Sequence, residues 1–139
     1  MKKIKVAING FGRIGRATAS IALGCGMEIL AYDPFLTAGD VTLDLHPVYN
    51  HEFTINVKTV SKEELLANAD FISLHIPGGQ GYVLDTPEFE QMKDGVGVVN
   101  CARGGTINEA ALLGAIKSGK VKYAATDVFE KEPPVNTDI

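Results

Sequence analysis

Ile4-Lys5-Val6-Ala7-Ile8-Asn9-Gly10-Phe11-Gly12-Arg13-Ile14-Gly15 is the stretch that decides the fold. The short apolar run from Ile4 to Ile8 reads as a buried strand that stops at a glycine. Three glycines follow at the spacing G-x-G-x-x-G, and apolar periodicity resumes at once. From Ile14 to Leu23 it places Ile14, Ala17, Ile21 and Ala22 on one helical face, and Gly24 and Gly26 stop the helix. The glycines therefore lie between a strand and a helix. In that setting Gly10 permits a tight turn, Gly12 lets the backbone approach a pyrophosphate, and Gly15 lets helix and strand pack closely. The helix N-terminus beyond offers unpaired N–H groups and a positive dipole end to phosphates. A dinucleotide suits this geometry; the plainer alternative is an ordinary glycine turn.

Glu28 to Tyr32 is a second strand, closed by Asp33-Pro34. Asp33 stands 18 positions after Gly15, where an acid accepts hydrogen bonds from the adenosine ribose hydroxyls and repels a 2′-phosphate. That position favours NAD over NADP. From Phe35 to Asn56 turn residues dominate and no strong helix appears, with a strand at about Phe53 to Val60. Ser61-Lys62-Glu63-Glu64 is a capping box that opens a short helix to about Ala69. Asp70 to His75 is the next strand, ended by Pro77-Gly78-Gly79. Thr86-Pro87 starts a helix that Gly95 ends, and Val96 to Asn100 is a strand. Thr106-Ile107-Asn108-Glu109 reads as a second capping box, opening a helix to about Ser118-Gly119, and Val121 to Thr126 is the last strand. Strands spaced by short helices predict an α/β fold, a Rossmann-type doubly wound parallel sheet of about six strands with helices on both faces. One domain spans 1–139.

The bulk properties agree with a globular domain: 139 residues, 45% hydrophobic and 22% charged, enough to bury a core without disulfides or metals. A net charge of -4 with scattered lysines and arginines argues against nucleic acid as a partner. No run has the length to cross a bilayer, and the Met1-Lys2-Lys3 start lacks a signal-peptide core. Cys25 and Cys101 form no disulfide framework and no metal-ligand spacing, so no metal is expected and a reducing cytoplasmic compartment is. Cys25 reads as a small buried side chain near a helix end, and His46 and His51 as loop residues.

Ile8 to Arg16 resembles the opening of the glyceraldehyde-3-phosphate dehydrogenases, but nothing after it does. Cys101 lacks the residues that flank that family's nucleophile. Five further segments carry a different and longer resemblance: Ala31-Tyr32-Asp33-Pro34-Phe35, Phe71-Ile72-Ser73-Leu74-His75-Ile76-Pro77, Met92-Lys93-Asp94-Gly95, Asn100-Cys101-Ala102-Arg103-Gly104-Gly105 and Asp127-Val128-Phe129-Glu130-Lys131-Glu132-Pro133. In order and spacing they resemble the D-isomer-specific 2-hydroxyacid dehydrogenases, and among these the phosphoglycerate dehydrogenases most. The resemblance implies hydride transfer between NAD and a D-2-hydroxy acid, with 3-phosphoglycerate as the first candidate. It implies that Arg13 and Ile14 lie against the pyrophosphate and Asp33 against the ribose, with Pro77 also in the cofactor site. Cys101 and Ala102 would line the nicotinamide half, and Asp127 would meet its carboxamide. Arg103 would hold the substrate carboxylate, for which an arginine fork is suited. Glu132 matches the acid that orients a catalytic histidine, raising its pKa and fixing its tautomer.

Simpler readings stand beside these. Arg103 could be a surface cation, Glu132 a solvated charge, Asp127 a strand-end cap, and His75 a structural strand-end residue. The family's catalytic histidine follows a further strand beyond the Glu-Pro segment, and its substrate domain is built from segments on either side. Neither has a counterpart between Met1 and Ile139. The expectation is a cofactor domain, trimmed or engineered, that is catalytically incomplete alone and takes a small 2-hydroxy or 2-oxo acid only with a substrate domain. A homodimer is open to it through exposed apolar surface. The alternatives are a stand-alone NAD-binding module and a Rossmann scaffold without catalysis.

Overall fold

Alternation along β1 (Lys5–Asn9) sends Val6 and Ile8 to one face of a sheet and Ala7 to the other, and both faces are buried. The computed structural model describes residues 2–134, with the backbone alone at 46–47. Met1 and the segment 135–139, with the Ile139 end discussed above, lie outside the described residues. After β1 come α1 (Arg13–Gly24), β2 (Glu28–Tyr32), β3 (Ala38–Asp44), α2 (His46–Tyr49), β4 (Glu52–Lys58), α3 (Lys62–Asn68) and β5 (Phe71–Leu74). Then follow α4 (Thr86–Gln91), β6 (Val96–Asn100), α5 (Glu109–Lys117) and β7 (Val121–Thr126).

Five strands form a parallel sheet in the order β2-β1-β5-β6-β7, which reverses direction between β1 and β5. The α/β class, the parallel sheet and helices on both faces are as the sequence predicts. The strand count is corrected. The expected strand near Phe53 to Val60 becomes β4 of an antiparallel hairpin with β3, outside the main sheet. Among the described residues the chain after β4 meets the sheet at one parallel bridge, Thr59 to Ala31 beyond β2, with Val60 N–H donating to the Ala31 carbonyl at 2.8 Å.

The first face of the sheet is covered by α3, α4 and α5, which bury Leu65, Leu66, Phe89, Leu112 and Ala115 against Ala7, Ile72, Leu74, Val96 and Val98. On the second face α1 and the hairpin cover β1 and β2, burying Ala19, Ala22 and Val41 with Val6, Ile8 and Phe11. Further along that face the rings of Phe71 and Tyr123 stack at 6.4 Å. Gly97, their register partner, makes room for them, since a β-carbon there would lie 2.3 Å from the Phe71 ring.

Several local expectations are corrected. The buried face of α1 is Gly15, Ala19 and Ala22, while Ile14 is 60% and Ile21 70% exposed. Small residues face β1 because the helix lies too close for larger ones: a β-carbon on Gly15 would stand 2.0 Å from the Gly10 carbonyl oxygen. The cap of α5 is Asn108, whose side chain accepts from Ala111 N–H, and Thr106 turns inward instead. α4 ends at Gln91, ahead of Gly95, and gains a capping box from Asp85 and Glu88. Ser61 caps α3 as expected, accepting from Glu64 N–H at 3.1 Å. Cys25 is exposed, not buried, and His46 begins the short α2. Among the described residues no helix is long and apolar enough to cross a membrane.

Two glycine substitutions separate packing from propensity. Gly15→Ala drives a β-carbon into backbone and is expected to destabilise the fold by about 3 kcal/mol or more. Gly114→Ala, in α5 with nothing within 4 Å, is expected to stabilise it by about 0.5–1 kcal/mol. Urea unfolding of the two variants checks both signs.

Candidate functional site

The site grows from the carboxyl ends of β1, β2 and β5, where the strand order reverses and ligands of open α/β sheets bind. Gly10, at φ +97°, turns the chain sharply after Asn9, and a β-carbon there would meet the His75 carbonyl at 2.7 Å. Its N–H donates to the Tyr32 carbonyl at 2.9 Å, stitching the turn to β2. Asp33 completes the clasp. One carboxylate oxygen accepts from Phe11 N–H at 2.9 Å and the other from Phe35 N–H at 2.9 Å. Asp33 thus fixes the turn as well as lining the cleft.

The resulting cleft has a volume of about 320 Å³. It gathers Gly10, Gly12, Asp33 and Pro77 with Asn9, Lys62 and His75. Gly12 opens α1 with no side-chain cap, so the N–H groups of the first turn have no partner of their own. Nothing lies within 4 Å of where its β-carbon would be. An anion can therefore reach the backbone there, and these residues fit a dinucleotide with its pyrophosphate over Gly12. Gly15 lies buried beneath the turn, and Arg13 and Ile14 project from the first turn of α1 into solvent.

A second depression lies at the ends of β6 and β7, lined by Ala102, Arg103, Gly104, Gly105, Phe129 and Glu132 among others. Its shape follows from buried Asn100, a residue given no role above. The Asn100 side-chain oxygen accepts from Ala102 N–H at 3.1 Å, and its amide donates to Thr106 Oγ1 at 3.0 Å. Thr106 in turn donates to the Arg103 carbonyl at 2.7 Å. An asparagine at a strand end followed by a polar turn was the available signal, because its side chain readily substitutes for backbone partners. Gly104 lets the next segment close over the loop, since a β-carbon there would lie 2.0 Å from the Phe129 carbonyl oxygen.

Arg103 is exposed, and its Nη1 donates to the Ala102 carbonyl at 2.6 Å. Glu132 accepts from Phe129 N–H at 3.2 Å on the same depression. Gly78 joins the two sites, because its absent β-carbon would sit 3.0 Å from Arg103 Cβ. Cys101 and Asp127 line neither space; Cys101 is exposed, and Asp127 N–H donates to the Asn100 carbonyl at 3.0 Å. His75 borders the first cleft, its Nε2 2.9 Å from Ser73 Oγ. His51 packs edge-on against Phe53 on the hairpin, with ring centroids 4.6 Å apart.

Comparison with known proteins agrees with this geometry. The family described as D-isomer specific 2-hydroxyacid dehydrogenase, NAD binding domain, matches residues 1–138. A D-3-phosphoglycerate dehydrogenase of Archaeoglobus fulgidus is 44% identical over 127 residues, covering 90% of this chain and 22% of its own length. A hydroxypyruvate reductase of Thermotoga maritima is 42% identical over 129 residues, covering 91% and 38%. A D-lactate dehydrogenase of Aquifex aeolicus, solved with NAD and lactic acid, superposes with a TM-score of 0.76 at 30% identity, covering 94% of this chain and 37% of that one. The chain therefore spans between about a fifth and two fifths of the length of these relatives.

Burial of the His75 imidazole lowers its pKa below the ordinary 6.5, because the cleft wall disfavours the cation. The unfolded chain takes up this proton below pH 6.5 while the folded one resists it, so stability falls as the pH drops through that window. His75→Gln is expected to lose less stability than the parent between pH 7.5 and 5.5. Equal losses in urea titrations at the two pH values would sink this assignment.

Proposed function

The chain belongs to the D-isomer specific 2-hydroxyacid dehydrogenases as their NAD-binding domain, and from that premise we propose that it holds NAD for oxidation of D-3-phosphoglycerate. The observation that carries the reading is the open backbone at Gly12 beside the clasped Asp33, at the carboxyl edge of the sheet. Gly10, Gly12, Gly15, Arg13 and Ile14 receive the pyrophosphate, with Gly15 acting through the close helix packing. Asp33 accepts the ribose hydroxyls with the lone pairs its two N–H partners leave free, and its charge disfavours a 2′-phosphate. Pro77, Cys101, Ala102 and Asp127 form the nicotinamide end.

Bound NAD supplies a hydride acceptor at its nicotinamide ring. The chain's own residues handle the acid. Arg103 spends one donor on the Ala102 carbonyl and keeps the rest of its fork for a carboxylate and the neighbouring C2 oxygen. Glu132 lies across the same depression, where its carboxylate can orient an imidazole that takes the hydroxyl proton. His75 and His51 lie outside that depression. Proton transfer then falls to a histidine of the whole enzyme, and the substrate is held together with a substrate domain. A homodimer belongs to the same reading, through apolar side chains exposed on the hairpin at Phe53 and Ile55 or, at the opposite edge of the sheet, on β7 at Tyr123.

Two measurements test this. NADH is expected to bind at least tenfold more tightly than NADPH, on the order of 1.4 kcal/mol or more, and Asp33→Ala to bring the two affinities together. Equal affinities in the parent chain would sink the role of Asp33; the ratio reads it even though the substitution also frees Phe11 and Phe35 N–H. Turnover of 3-phosphoglycerate by the 139-residue chain is expected to be negligible. Robust turnover would overturn the division of labour between Arg103, Glu132 and an outside imidazole.

A further inference from the structure

Lys62 lines the cofactor cleft together with Asp33, Pro34 and Phe35. Its position follows from the one parallel bridge beyond β2. Thr59 pairs with Ala31, so the chain running on through Val60 and Ser61 leaves the sheet level with Asp33 and Pro34. Lys62 then begins α3 at the adenosine-ribose end of the proposed site. A cation in that place would attract a 2′-phosphate, the opposite of what Asp33 does.

The cation is engaged elsewhere. Lys62 Nζ donates to Glu88 Oε1 on α4 at 2.8 Å, and the two side chains are 29% and 20% exposed. Glu88 is itself fixed, because its other oxygen accepts from Asp85 N–H at 3.0 Å in the capping box of α4. Burial pushes the Glu88 carboxyl up, but the Lys62 ammonium and the Asp85 N–H outweigh it and hold it below its ordinary value. Glu88 is thus an anion near neutral pH.

Resting on the NAD reading above, we infer that Lys62 is a specificity-determining residue of the cleft, whose ion pair with Glu88 withholds it from the 2′-position of the cofactor. Discrimination against NADP then has two parts. Asp33 repels the phosphate, and Glu88 occupies the cation that would otherwise receive it. Neither part needs any movement of the glycine turn.

Glu88→Gln isolates the second part, because glutamine keeps the capping-box acceptor for Asp85 N–H while removing the charge. Calorimetric titration of NADH and NADPH into the parent, Glu88→Gln and the Glu88→Gln/Lys62→Met double variant is the test. Glu88→Gln is expected to tighten NADPH binding about tenfold at low salt, an effect that fades as salt screens the pair, with NADH within about twofold of the parent. The double variant is expected to return NADPH to its parental affinity. Adenosine 2′-phosphate against adenosine, titrated into the same proteins, should follow the same pattern and reports on the 2′-group alone. Parental NADH binding with an unchanged NADPH ratio in Glu88→Gln overturns the inference and leaves the NAD reading standing. A gain that survives in the double variant also overturns it, since the cation responsible is then not Lys62. A parent chain that binds neither dinucleotide overturns both.

Discussion

The distance between Gly15 and the Gly10 carbonyl governs this structure. A β-carbon at Gly15 would lie 2.0 Å from that oxygen, so only a bare backbone lets α1 start where it does. From that start the helix runs against β1 with Ala19 and Ala22 as its buried side chains, and its open N-terminus faces the end of the sheet. The turn is then tied to β2 by Gly10 N–H on Tyr32 and by Asp33 on Phe11 N–H. Because all of these ties are to backbone, the floor of the cleft is fixed before any ligand arrives. Preorganisation of this kind lowers the ordering cost of binding a charged group.

The other half of the carboxyl edge is organised by a different device. Between β6 and α5 no glycine contact sets the path at the first step; the buried Asn100 side chain does, through Ala102 N–H and Thr106 Oγ1. Losing a buried hydrogen-bonded amide of this sort costs about 1–3 kcal/mol, with the larger figure where partners are left unsatisfied. That is enough for Asn100 to decide the shape of the loop carrying Cys101, Ala102 and Arg103. The two halves meet at Gly78, whose missing side chain lets the Pro77 loop lie against the Arg103 stem. The first cleft and the depression lined by Arg103 and Glu132 are therefore neighbours across one glycine.

What the sequence disclosed follows the physics of each element. β2 and β6 were legible to within a residue because they are apolar runs with sharp stops, and β7, mostly exposed at the edge of the sheet, because it starts just after the glycine that ends α5. The glycine turn and Asp33 were legible because the motif and its spacing carry a mechanism. The face of α1 was misread because hydrophobicity selected Ile14 and Ile21, whereas the close approach to β1 selects small residues over apolar ones. Thr106 looked like a cap by spacing alone, but the buried Asn100 recruits it and leaves Asn108 to cap the helix. The hairpin was missed although Val41 and Leu43, and Phe53, Ile55 and Val57, alternate at period two. The intervening Asp, Thr and Asn residues read as turns until Asp40 pairs with Asn56 and Thr42 with Thr54 across the strands. Lys62 and Glu88 are 26 positions apart, and no local pattern announces such a pair.

The hairpin has a consequence for the cleft it does not itself line. It occupies the path between β2 and Thr59, where it packs Gly39 against Phe11 and Arg16 and buries Val41 in the core beside α1. The chain then returns to the sheet by one bridge, Thr59 to Ala31, with Thr59 N–H on the Thr37 carbonyl and its hydroxyl on the Leu36 carbonyl. β1 and β5 at the base of the cleft are hydrogen-bonded on both sides, while β2, which leads to Asp33, pairs with β1 on one side and, among the described residues, meets the bridge at Thr59 and Val60 on the other. Two charged side chains that line the cleft stand on either side of that bridge. Asp33 is clasped to the glycine turn, and Lys62 is placed by α3, whose Leu65 and Leu66 are buried in the core, with its ammonium held by Glu88 from a different helix. That ion pair ties α3 to α4 at the edge of the cleft that Lys62 lines.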